Sequence, residues 1–259
     1  MTKKIGIALV GLGPGSEPHI ASLHALHDRV DWRWCVSRSG APQRQRLLPG
    51  STRLTTDLNE VLADAAVDAV VLATPANTHL AIARQVLAAG KHTLVEKPLD
   101  VSLERAEELV RIAEASKLCF GVVLQHRFRP GAVRLRALLA SGALGELQAG
   151  MLQVPWWRSQ AGYYAQAGRG TRERDGGGVL LTQAIHSLDL FRSFVGVRKV
   201  VAAQVITTAL HTMETEDFVS ALLTLGNGAP GNLMATTAMY PGRAEPLDRL
   251  GTHTTVSLA

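Results

Sequence analysis

Five short apolar runs separated by helical patterns dominate the first 124 residues, and this alternation restricts the fold more than any other feature. Ile5–Val10 is continuously apolar, as a strand covered on both faces must be. Trp32–Val36, the segment Val67-Asp68-Ala69-Val70-Val71-Leu72-Ala73, His92–Val95 and Leu118–Leu124 read as further strands. Between them lie helix patterns: one through Ile20, Ala21, Leu23 and Leu26, then Leu58–Ala65 with Thr56 or Asp57 available as a cap, His79–Ala89 stopped by Gly90, and Ser102–Ala115. Strand and helix alternating at this spacing predict right-handed βαβ units and an open parallel sheet, an α/β Rossmann-type domain over 1–124.

The pattern changes after Gln125. A helix over Val133–Ser141 leads into longer strand patterns at Leu147–Val154, Val200–Thr207, Phe218–Leu225 and Asn232–Met239, with Gly178–Phe194 helical between them. Leu225-Gly226-Asn227-Gly228 suits a hairpin turn. Residues 125–259 are therefore expected to form a second α+β domain on a mostly antiparallel open sheet.

Composition narrows the class. With 46% hydrophobic residues in 259, the chain has enough apolar material for a proper core, yet no run nears the ~18 apolar residues of a membrane span. The opening Met-Thr-Lys-Lys-Ile-Gly-Ile shows no signal-peptide cleavage region, so the expected location is cytoplasmic. A net charge of +5 comes mostly from scattered arginines; no basic run or basic–aromatic stripe supports nucleic-acid binding. Cys35 and Cys119 stand in apolar strand contexts and are expected to be buried free thiols.

Gly11-Leu12-Gly13-Pro14-Gly15-Ser16 closes the first strand and opens the first helix. Gly11 permits a tight turn, and Gly13 lets backbone approach a pyrophosphate whose charge the helix N-terminus favours. Ser16 takes the third glycine position and is a candidate cap. The second strand ends Val36-Ser37-Arg38-Ser39, with no carboxylate for ribose hydroxyls. Arg38 suits a 2′-phosphate, which favours NADP over NAD; a surface loop arginine is the competing reading. Thr74, Pro75, Asn77 and His79 lie at the carboxyl edge of the sheet where ligands bind, though turn-shaping and helix-capping account for them equally well.

Glu96-Lys97-Pro98 ends the fourth apolar run, and the proline prevents the strand from simply continuing. Downstream, Gly176-Gly177-Gly178 leads into a helical pattern on which Thr182 and His186, four apart, share a face; a core histidine is the alternative. No carboxylate or second histidine stands at metal-ligand spacing there.

Taken together, Gly11-Leu12-Gly13, Thr74-Pro75 with His79, Glu96-Lys97-Pro98-Leu99, and Gly176 through His186 resemble the Gfo/Idh/MocA oxidoreductase family across nearly the whole chain. The resemblance implies a nicotinamide cofactor, a sugar, cyclitol or related alcohol as substrate, and a dimer or tetramer formed through the C-terminal sheet. It implies that Lys97 contacts the reacting oxygen and orients the nicotinamide, and that His186 donates or accepts the proton. Thr182 occupies a position that is often Asp or Asn in the family. Gln125, Arg127, Tyr163, Tyr164, Arg169 and Thr171 are the substrate-side candidates. Members commonly exceed 300 residues, so the C-terminal sheet is expected to be short, with an exposed edge. NAD-dependent glycoside hydrolysis and a non-enzymatic cofactor-binding regulator are the alternative functions.

Overall fold

In the computed structural model, the described residues are 3–38, 42–240 and 255–258, with side chains omitted at 42–43 and 255–258. The chain divides into two compact units, Met1–Val123 and Leu124–Ala259.

The first unit is a six-stranded parallel sheet in the order β3-β2-β1-β4-β5-β6. Its strands are β1 Ile5–Val10, β2 Val30–Val36, β3 Arg53–Thr55, β4 Ala69–Leu72, β5 His92–Val95 and β6 Phe120–Val122. The helices are α1 Glu17–Ala25, α2 Pro42–Gln45, α3 Leu58–Ala63, α4 His79–Ala88 and α5 Leu103–Ser116. The reversal of strand order beside β1 is the switch point at which such sheets bind ligands. Ala8, Leu9, Val70 and Leu72 are fully buried, which explains why β1 and β4 read as unbroken apolar runs. Asp57 caps α3 by accepting the Asn59 amide at 2.9 Å, Ser102 caps α5, and Gly90 takes φ +74° just after α4.

Two expectations need correcting here. β3 was not anticipated: three residues flanked by polar positions carry no periodicity, and the strand is specified by pairing with β2. Cys119 is exposed because it leads into the edge strand β6, whereas Cys35 on β2 is buried, which pushes its thiol up to about 12.

The second unit has helices α6 Pro130–Ala140, α7 Arg172–Asp175, α8 Val179–Thr182 and α9 Ile185–Val195. Its strands are β7 Gly150–Pro155, β8 Val197–Ile206, β9 Phe218–Leu225, β10 Pro230–Thr236 and β11 Thr255–Leu258, in the order β11-β7-β10-β9-β8. The sheet is mixed: β10 runs parallel to β7, while β11–β7, β10–β9 and β9–β8 are antiparallel. This replaces the mostly antiparallel sheet expected above, because periodicity reveals strands but not the direction of pairing between distant ones. Gly228, at φ +93°, closes the hairpin joining β9 to β10. One face packs Leu152, Val154, Leu223, Leu225 and Leu233 against Phe191 and Val195 of α9. β8 and β11 are the edges, and residues 241–254, on which the expectation of a short C-terminus partly falls, lie outside the described residues.

The helical stretch around His186 also departs from expectation. It is interrupted at Gln183–Ala184, where the Ala184 amide bonds back five residues to Val179 O at 2.8 Å. Thr182 therefore ends one short helix and His186 stands in the next, so regular four-residue spacing does not relate them.

Candidate functional site

A cleft of about 820 Å³ opens beside the C-terminal ends of β1, β2 and β4, lined by Gly11, Gly13, Ser37, Arg38, Arg44, Thr56, Thr74 and Pro75 among others. Gly11 adopts φ +102°, and a Cβ there would stand 2.6 Å from Ala73 O; only glycine fits this turn. Gly13 differs: its φ is −75° and a Cβ would meet nothing within 4 Å, so its missing side chain leaves space rather than permitting a strained backbone. A dinucleotide phosphate at the start of α1 would use that space, and the residues present fit such a group.

Ser16 is completely buried, and its hydroxyl donates to Gly13 O at 2.7 Å. It stabilises the glycine turn, and its side chain makes no capping bond to α1. Ser37 and Arg38 line the cleft as expected, Ser37 buried and Arg38 exposed. Arg44, absent from the sequence reading, also lines it; Glu17 at the head of α1 accepts from Arg44 Nη2 at 2.8 Å and Nε at 3.2 Å. No local pattern could have paired residues 27 apart.

Thr74 and Pro75 line the cleft, but Asn77 and His79 do not. The Asn77 carbonyl accepts from Arg105 at 3.0 Å. His79 is fully buried: its Nε2 faces Thr74 O at 2.9 Å and its Nδ1 faces Pro98 O and Leu99 O at 3.1 and 3.2 Å. It supports the turn that follows β5. That turn contains the cis Lys97–Pro98 peptide and is tied further by Asp100, whose side chain is fully buried. Asp100 accepts from Val101 N at 2.7 Å, Leu80 N at 3.1 Å and Arg105 Nε at 2.5 Å. Lys97 thus stands in a braced turn at the same sheet edge as the cleft.

In the second unit, Gly178 admits no side chain, since a Cβ would lie 1.8 Å from Glu216 O. The close approach lets the Glu216 carboxylate accept the Gly178 amide at 2.9 Å and the Leu180 amide at 3.3 Å, capping α8. The Thr182 hydroxyl donates to Gly178 O at 2.7 Å and also contacts Gln183 Oε1. The His186 ring stacks on that of His126, with centroids 4.9 Å apart and planes at 30°. His126 is buried, and sequence reading passed over it for its neighbours.

The substrate-side candidates separate into two groups. Gln125 is exposed; the Tyr163 hydroxyl accepts from Gln183 Nε2 at 2.7 Å, and the Arg169 guanidinium lies 4.8 Å from the Tyr163 ring centroid. The others are engaged in the scaffold. Arg127 pairs bidentately with Asp189 at 2.6 and 2.5 Å. Tyr164 is buried against Thr237 at 2.7 Å, burial pushing its phenol up to about 12, and Thr171 caps α7. Among the described residues no three His, Cys, Asp or Glu side chains gather to hold a metal, and no helix is long and apolar enough to cross a membrane.

Comparison with known proteins agrees with this geometry. Residues 5–124 match the oxidoreductase family with NAD-binding Rossmann fold, and residues 132–257 match the GFO/IDH/MocA C-terminal domain. An uncharacterised oxidoreductase of Synechocystis sp. is 27% identical over 97% of this chain and 71% of its own length. Inositol 2-dehydrogenase of Rhizobium meliloti is 29% identical over 88% of this chain and 67% of its own. The crystal structure of the WlbA dehydrogenase from Bordetella pertussis, in complex with NADH and UDP-GlcNAcA, superposes with a TM-score of 0.84 at 30% identity, covering 92% of this chain and 72% of that one. With both halves matched and the glycine turn shaped for a dinucleotide, the chain belongs to the Gfo/Idh/MocA family of NAD-binding oxidoreductases.

Proposed function

We propose that the protein is an NAD(P)-dependent dehydrogenase or reductase acting on a CH–OH group of a sugar, polyol or related alcohol or ketone. The observation that carries this reading is the cleft at the strand-order reversal, shaped by Gly11 and left open by Gly13. A nicotinamide bound there supplies hydride chemistry, and the protein contributes binding, orientation and proton handling. NADP is the favoured form: Ser37 and Arg38 occupy the end of β2 where an NAD site places a carboxylate, and Arg44 adds a second cation to the same wall.

Lys97 is assigned to the reacting oxygen, where a cation favours an alkoxide-like state. His186 is assigned the proton, with His126 stacked against its ring to limit its orientation. Thr182 is a hydrogen-bonding partner in this scheme, and its existing bond to Gly178 O makes positioning its more natural role. Tyr163, Arg169 and Gln125 are assigned to the substrate.

A homo-oligomer through the C-terminal sheet is part of the reading. Leu222 on β9 and Ile206 on β8 are exposed on the sheet face turned away from α9, and Val200, Val201 and Val205 are exposed along the edge strand itself, apolar surface suited to a second copy of the chain. Titration with NADP and NAD, followed by a sugar and polyol panel read at the nicotinamide absorbance, tests the assignment. Expected are cofactor binding and turnover of at least one polyhydroxy substrate; turnover unaffected in Lys97→Ala overturns the mechanism.

A further inference from the structure

Two arginines of the second unit are packed in a way the surrounding protein leaves chemically incomplete. Arg158, three residues beyond β7, has its guanidinium carbon 4.6 Å from the Trp156 ring centroid and 4.9 Å from that of Tyr163. Arg169 stands over the same Tyr163 ring at 4.8 Å. The Nε atoms of both arginines and the indole Nε1 of Trp156 are buried with no hydrogen-bond partner among the described residues. Arg158 has no ion pair among those residues. Arg169 approaches Asp175 Oδ1 only to 3.8 Å, and the other oxygen of that carboxylate accepts the Gly170 amide at 2.8 Å.

Aromatic faces stabilise a cation but present no in-plane acceptor, so the two buried Nε–H donors remain unused. Burial holds Arg158 below the ordinary guanidinium range and Arg169 adds repulsion, offset in part by Tyr163 and Tyr164. An anionic oxygen group would relieve both the missing acceptors and the like charge, and the fork matches carboxylate or phosphoryl geometry. The backbone here is unusual as well: Gln160–Tyr164 is a π-helix, a distortion frequent at functional sites. Tyr163 connects this cluster to the helix boundary, since its hydroxyl accepts from Gln183 and Gln183 contacts the Thr182 hydroxyl.

We propose that Arg158 and Arg169, arranged on the ring of Tyr163, form a subsite for an anionic oxygen group carried by the substrate, a carboxylate or a phosphoryl. The preferred substrates are then sugar acids or sugar phosphates rather than neutral polyols. The inference rests on the sugar-oxidoreductase reading for its choice of ligand and deepens it by fixing the ligand's charge.

Calorimetric titration of the full chain, with NADP present, compares D-glucose, D-glucuronate and D-glucose 6-phosphate. At least one anionic sugar is expected to bind tenfold or more tightly than glucose; preference for glucuronate identifies a carboxylate subsite, and preference for the phosphate a phosphoryl subsite. Arg158→Gln and Arg169→Gln should each abolish the advantage, while Arg158→Lys retains part of it as a point charge without the fork. Circular dichroism of each variant reports folding, and either glutamine variant suffices should the other fail to fold. Equal binding of all three sugars, absence of anion binding, or an advantage that survives in a folded glutamine variant overturns the proposal. Failure of the sugar-oxidoreductase reading has a separate signature: anion binding persists, yet no sugar changes the nicotinamide absorbance.

Discussion

Glu96 Oε1 lies 2.7 Å from His19 Nε2, so one carboxylate ties α1 to the end of β5; its other oxygen accepts the Lys97 amide at 3.0 Å. Burial alone would raise this carboxyl, but the bond and charge of His19, followed by the amide and charge of Lys97, hold it below the usual carboxylate range. A carboxylate depressed on folding contributes stability that is fully present above its unfolded value, ~4.3, and lost as pH falls through the folded value. Glu96→Gln is expected to lower stability near neutrality by about 1–3 kcal/mol and to flatten the loss as pH falls below ~4.3. Urea unfolding across that range checks it: equal acid slopes for the two proteins would show that Glu96 is not the group responsible.

The glycines of the first turn should separate a folding requirement from a binding requirement. Gly11→Ala places a Cβ against the Ala73 carbonyl from a left-handed backbone, and backbone there cannot yield. Its expected cost is about 2–5 kcal/mol, visible as a lower Tm without any ligand. Gly13→Ala meets open space at an ordinary φ, so the Tm of the free protein should hold while cofactor affinity falls. Thermal melts with and without cofactor distinguish the pair, and a large Tm loss in free Gly13→Ala would refute the division.

The first unit was largely legible because most of its elements carried their own signal. β1 and β4 are buried on both faces and appear as apolar runs, and the Asp57 and Ser102 caps announce α3 and α5 locally. What escaped depends on distant partners: β3 exists by pairing with β2, Arg44 meets Glu17 27 positions away, and Glu216 caps α8 from 38 positions away. The parallel pairing of β10 with β7 is likewise a decision between segments some 80 residues apart, which period-two alternation cannot encode. Candidate site residues could be chosen by type, but how each side chain is engaged could not be read from the sequence. Arg127 and Tyr164 have the right functional groups for a sugar, yet Asp189 and Thr237 already use them.

Arg38 should set cofactor choice. Removing a charge-assisted contact to a 2′-phosphate costs about 1.5–3 kcal/mol, roughly a ten- to hundred-fold rise in the NADP dissociation constant. Arg38→Ala is therefore expected to weaken NADP by that factor and to leave NAD nearly unchanged. Arg44→Ala should have a smaller effect of the same sign, since Glu17 already draws part of its charge. Fluorescence titration with both cofactors reads the result, and a wild-type protein that binds NAD but not NADP removes the basis for the assignment.

Asp100 and Lys97 lie three residues apart in one turn but should fail in different ways. Asp100 is a fully buried carboxylate serving Arg105 and the amides of Leu80 and Val101. Asp100→Ala strands those donors, and because Arg105 is 38% exposed the expected loss is about 2–3 kcal/mol, less than for a fully buried pair. Lys97→Met keeps an unbranched apolar stem but removes the cation and its pull on Glu96, so its stability loss should stay smaller than that of Asp100→Ala while kcat falls by about 10²–10³. Measuring Tm and kcat in both variants makes the comparison complete. Were Lys97→Met to lose stability with turnover intact, the lysine would be part of the brace rather than its purpose, and the reacting oxygen would need another cation.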